Sequence, residues 1–79
     1  MRIYLNVLDS FESEYQGKKY HIYQMVEMKT MQVYTYSTEE VLPYKIGDTL
    51  LCEIGYRYRN KVGQIFVRSI VSKYEKENN

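Results

Sequence analysis

A chain of 79 residues makes one domain, and at this size folding buries only about 60% of the surface the unfolded chain exposes, so the core is small. Ten Tyr are too many for such a core, and some must lie on the surface, where clustered rings serve a partner protein, a subunit interface or stacked bases. A formal net charge of +1 excludes a strong overall field toward nucleic acid or membrane, so any attraction to phosphates has to come from local patterning.

Arg2 to Leu8 set Ile3, Leu5 and Val7 against Arg2, Tyr4 and Asn6, the period of a half-buried strand. Phe11 to Tyr15 are less regular, and Tyr15-Gln16-Gly17-Lys18 supplies a glycine able to take positive φ, so a first hairpin closes near Gly17. Tyr20 to Met28 are rich in β-formers, but Gln24 shares a face with Ile22 and Val26, which predicts a bulge or exposure on both sides. Past Lys29 and Thr30, Met31, Val33 and Thr35 alternate with Gln32, Tyr34 and Tyr36 as a third strand with the two tyrosines on one face. Thr38-Glu39-Glu40 is the one place where a short helical turn is expected, before Pro43 and Gly47 redirect the chain. From Asp48, Leu50, Cys52, Ile54 and Tyr56 line one face opposite Leu51, Glu53, Gly55 and Arg57, and Gly55 in mid-strand predicts strong curvature or a bulge. A fifth strand sets Ile65, Val67 and Val71 against Phe66, Arg68 and Ile70, and periodicity is lost from Tyr74 onward. The domain is therefore bounded at residues 1–74, with 75–79 as a frayed polar tail. Five short strands with glycine turns predict an all-β fold, a small five-stranded OB-type Greek-key barrel with protruding β-hairpins, an SH3-like barrel being the alternative.

The single Cys52 excludes an intramolecular disulfide and, among Leu50, Leu51 and Ile54, reads as a core residue of a reducing compartment. No apolar run approaches the length of a membrane span and no leader is evident, so a mature cytoplasmic chain without membrane contact is expected. One His, one Cys, two Asp and no glycine-rich phosphate loop leave little from which to build a triad or a metal site, and neither catalysis nor a cofactor is expected. The functional signal is densest from Tyr56 to Arg68. There, rings and cations alternate, pause between Asn60 and Gly63 where turn chemistry is expected, and resume. Cations for phosphates and flat rings for bases are what a single-stranded nucleic acid needs. Tyr56, Arg57, Tyr58, Arg59, Lys61 and Arg68 are the candidate contacts, with Tyr34 added from the third strand. Strict alternation places Tyr58 on the face of Ile54 and Cys52, where it belongs to the core unless the strand has already left the barrel.

Tyr15-Gln16-Gly17-Lys18-Lys19-Tyr20 resembles the turn and first aromatic of the DNA-binding wing in the filamentous-phage gene V proteins, small single-stranded-DNA-binding proteins with an OB-type fold. Tyr44, Gly47 and the run from Thr49 to Ser72 are similar to the last two strands of that family, and the two stretches together cover over half of the chain. The resemblance implies binding without sequence preference, a two-fold dimer and cooperativity along the strand. By position it implies that Tyr20 stacks on a base while Lys18 and Arg68 neutralise phosphates. Two departures stand out. Tyr15 occupies a position where the family often has a basic residue, and the region from Val26 to Val41 is shorter, so the family's dimer contacts do not carry over. The expected function is non-sequence-specific single-stranded DNA binding in phage or mobile-element DNA replication in the host cytoplasm, by a homodimer, with RNA as the other candidate strand. The competing expectation is a small protein-interaction module that uses an exposed tyrosine patch.

Overall fold

The computed structural model describes residues 1–75, and in them the chain folds as five antiparallel strands with no helix. These are β1 (Arg2–Tyr15), β2 (Lys18–Glu27), β3 (Gln32–Thr38), β4 (Thr49–Arg59) and β5 (Val62–Lys73). They form one sheet in the order β3-β2-β1-β4-β5. β4 therefore returns after two hairpin-linked strands to lie on the far side of β1, which is the Greek-key arrangement.

β1 serves both neighbours with different halves. Arg2 to Asn6 pair with Glu53 to Thr49 of β4, and Asn6 to Tyr15 pair with Val26 to Lys18 of β2. Between Val7↔Met25 and Asp9↔Gln24 the register shifts, leaving Leu8 as an extra residue. The irregularity expected at Gln24 thus sits opposite it, on β1. Its effect is to reverse the alternation of β1, so that Leu5 and Val7 face the core but Phe11, Ser13 and Tyr15 share the outer face with Ile22, Tyr20 and Lys18. Phe11 to Tyr15, whose sequence pattern is less regular, are regular strand, because each residue has a ladder partner on β2.

The core joins Leu5 and Val7 of β1, Tyr23 and Met25 of β2, Leu50, Cys52 and Ile54 of β4 and Val67 of β5. A fully buried leucine among these contributes about 1.5–3 kcal/mol. Tyr34 and Tyr36 pack against this cluster from β3. They face inward because Tyr34 pairs with Met25 and Tyr36 with Tyr23. The segment from Glu39 to Asp48 closes one end of the sheet, with Leu42 and Tyr44 packed on the core and the Tyr23 hydroxyl donating to the Leu42 carbonyl at 3.4 Å. No helical turn forms at Thr38-Glu39-Glu40. The Thr38 hydroxyl accepts the Glu40 N–H at 3.1 Å and bends the chain, and Pro43 disfavours helical backbone before it. Lys45 to Asp48 form a turn docked on β1, the Gly47 N–H donating to the Val7 carbonyl and the Val7 N–H to the Asp48 carbonyl, each at 2.9 Å.

The chain does not fray at Tyr74. Its N–H donates to the Thr49 carbonyl at 2.8 Å, and its ring stands edge-on to Tyr4 at 5.9 Å. Residues 76–79 of the expected tail lie outside the described residues.

A compact domain of this length has a radius of gyration of about 12 Å. The observed 13.6 Å and extents of 49 × 31 × 19 Å reflect two hairpins that run past the core. β1 and β2 meet at Gln16 and Gly17, and β4 and β5 at Asn60 and Lys61. All four turn residues have positive φ, as a two-residue turn matched to the twist of a hairpin requires.

Candidate nucleic-acid interface

The β4–β5 hairpin carries six of the nine candidate residues. Beyond Ile54 it has no packing partner on its inner side, so the alternation of β4 continues into solvent: Tyr56 is 66% and Tyr58 68% exposed. The strand has passed the end of the core before Tyr58, and that ring is free of it.

Pairing sorts the hairpin into two faces. Tyr56 opposite Ile65 and Tyr58 opposite Gly63 lie on one, while Arg57 opposite Gln64, Arg59 opposite Val62 and Phe66 opposite Gly55 lie on the other. Rings and cations that alternate in sequence are therefore separated in space, apart from Phe66. That ring is flanked by two cations, with the Arg57 guanidinium carbon 4.7 Å and that of Arg68 5.7 Å from its centre, both within cation–π range. Arg68 owes this position to a bulge. Glu53 pairs with Ser69 and Ile54 with Val67, so Arg68 is the extra residue between them and its side chain is turned toward Phe66.

Two glycines make room for these rings. A Cβ at Gly55 would lie 2.6 Å from Phe66 Cζ and 2.9 Å from an Arg68 guanidinium nitrogen. A Cβ at Gly63 would run into the Tyr56 hydroxyl, so the Tyr56 ring lies diagonally across the strand there. Gly63 belongs to the β5 ladder and not to the turn expected between Asn60 and Gly63, which is confined to Asn60 and Lys61.

The electrostatics favour an anion. From Ile54 to Tyr74 the sequence has no carboxylate, and among the described residues none of Arg57, Arg59, Lys61 and Arg68 forms an ion pair. Their charges are uncompensated at close range. Lys18 differs, resting 3.7 Å from Glu39, while its neighbour Lys19 is 3.4 Å from Glu12. Exposed pairs of this kind are worth about 0–1 kcal/mol, so Lys18 is released at little cost.

Lys18 and Tyr20 lie on the β1–β2 hairpin, no Cα of which comes within 8 Å of β5, and no Cα of β2 comes that near β4. The two hairpins therefore offer separate surfaces. Tyr20 is half-buried opposite Ser13. Tyr34 is also half-buried, but besides packing on the core it lines a groove between β3 and the β4–β5 hairpin together with Arg57 and Phe66. Gln32 and Gln64 in the same groove were not singled out from the sequence. The pairing of Arg57 with Gln64 is the signal that places Gln64 there, and it follows from the length of the turn.

Elsewhere, the N-terminal ammonium and the Arg2 guanidinium beside Glu53 hold its carboxyl below the usual range. Among the described residues no group of His, Cys, Asp and Glu is placed to hold a metal, and no helix is long and apolar enough to cross a membrane. No protein-family model, no curated protein and no solved structure matches the chain.

Proposed function

We propose that this protein binds single-stranded nucleic acid, with DNA of a phage or mobile element as the natural strand, through its two hairpins. The observation that carries this reading is the β4–β5 hairpin, where four cations without acidic partners among the described residues share one ribbon with two exposed tyrosines. Single-strand binders pair such cations with rings on which bases stack. Fold-level analogy supports the placement, since OB barrels bind oligonucleotides with the loops joining β1 to β2 and β4 to β5. Arg59, Lys61 and Arg68 neutralise phosphates, Tyr56 and Tyr58 stack on bases, and Lys18 and Tyr20 extend the track along the other hairpin. Arg57 stands over Phe66 at the mouth of the groove beside Tyr34. Like the gene V proteins it resembles, the protein acts as a homodimer in this reading.

One observation favours a second reading, a protein-interaction module. Tyr4, 55% exposed and edge-on to Tyr74, stands between clefts of about 360 and 250 Å³ that are lined by Ile3, Met28 and Thr49 among others. Salt separates the two. Titration of a fluorescent oligo-dT across a salt series should give a log–log slope of about −2 to −3, for three or four phosphates per protomer at about −0.7 each. Absence of saturable binding at low salt would rule out the strand reading and leave the tyrosine patch.

A further inference from the structure

Among the described residues β3 bonds only to β2 and β5 only to β4, so one edge of each has backbone N–H and C=O groups without a strand partner there. The two free edges face each other, with Cα atoms within 8 Å. Between them runs a groove of about 430 Å³, lined by Gln32 to Thr35 on one side and by Arg57 and Gly63 to Phe66 on the other.

Width decides what can enter. A strand bonded to both edges needs about 9.6 Å between them, twice the spacing of neighbouring strands. The groove is too narrow to be filled by a peptide strand. A flat ring lying over the open mouth of the groove need not pass between the two edges, and finds donors and acceptors for its rim there. Gln32 and Gln64 stand on opposite walls, both exposed to the groove, and each carboxamide offers an acceptor and two donors. Carboxamides of this kind pair with base edges through two hydrogen bonds. The Arg57–Phe66 stack beside Gln64 adds a planar surface, and Tyr34 a second ring.

We propose that this seam seats one base of a bound single strand and that Gln32 and Gln64 read its rim, so that binding carries a base preference at one position. The inference rests on the single-strand reading and refines it, since phosphate contacts and stacking alone leave the bases nearly equivalent.

Oligo-dA, oligo-dC and oligo-dT of one length, titrated against the intact protein and against Gln64→Leu and Gln32→Leu, test it. The intact protein should separate the three. In Gln64→Leu the ratio between the tightest and the weakest should shrink about tenfold, with the salt slope of each unchanged. The amide resonances of Val33 and Ile65, on the two facing edges, should shift when the preferred oligonucleotide is added. Unchanged ratios in both variants, or unmoved amides at both edges, would overturn the seam site and leave single-strand binding standing. Failure of all three oligonucleotides to bind would overturn the strand reading, and the seam with it.

Discussion

Tyr58 owes its exposure to the length of β4, which carries it past the end of the core on the face that Ile54 and Cys52 occupy inside. Its removal therefore separates stacking from packing. Tyr58→Ala should weaken oligo-dT binding by about 1–3 kcal/mol and leave the melting temperature nearly unchanged. Arg68→Gln should instead flatten the salt slope by less than one unit, since one phosphate contact releases fewer counterions than that. A sharp fall in melting temperature for Tyr58→Ala with binding intact would make the ring structural. Cys52 behaves in the opposite way. Its burial pushes the thiol from an ordinary value of 9.0 up to about 11, so the native state keeps the proton that the unfolded chain releases. Stability is unaffected at neutral pH and falls as pH rises from about 9 toward 11, by up to roughly 2–3 kcal/mol. Denaturant midpoints measured across that window should fall more in the parent protein than in Cys52→Ala, and parallel curves would show that the thiol plays no part.

At the scale of elements, the β4–β5 hairpin turns through two residues of which neither is glycine, with Asn60 at φ 52° and Lys61 at φ 63°. Asn tolerates this region and Lys does so at a cost, so Lys61→Gly should stabilise the fold by about 1 kcal/mol in chemical denaturation. The same change should reduce the salt slope of strand binding, and a loss of stability instead would mean that the Lys61 side chain packs in the hairpin. The strands themselves were legible because their periodicity is strong: Ile3, Leu5 and Val7, or Leu50, Cys52 and Ile54, each stripe one face. What stayed hidden was set by pairing between distant residues. Leu8 and Arg68 are extra residues only relative to partner strands, and Gly63 resembles a turn residue until the Tyr56 ring is seen to need its space. The helical turn expected at Thr38 lost to a local hydrogen bond that its own hydroxyl accepts from the Glu40 N–H. Of the candidate residues, those on the β4–β5 hairpin fall together, while Lys18 and Tyr20 stand on a separate hairpin whose distance no local pattern encodes.

For the whole molecule, two separate hairpins and an exposed Tyr4–Tyr74 pair suit an assembly of two copies better than a lone protomer, because one copy leaves these rings in water. Sedimentation equilibrium at micromolar concentration should report twice the 9.6 kDa chain mass, and a single species at 9.6 kDa would remove the dimer. The Greek-key order also governs how the chain reaches its fold. Each hairpin joins strands adjacent in sequence and closes a short loop, but the pairing of Ile3 with Cys52 and Leu5 with Leu50 unites the first strand with one made much later. Contacts between residues so far apart along the chain are slow to form, because the entropy of closing the intervening loop is lost before the contact rewards it. Docking of β1 on β4 should then be the slow event of folding, with Leu5 and Leu50 leaving water together as it occurs, so that Leu5→Ala should slow refolding in stopped-flow measurements more than it speeds unfolding.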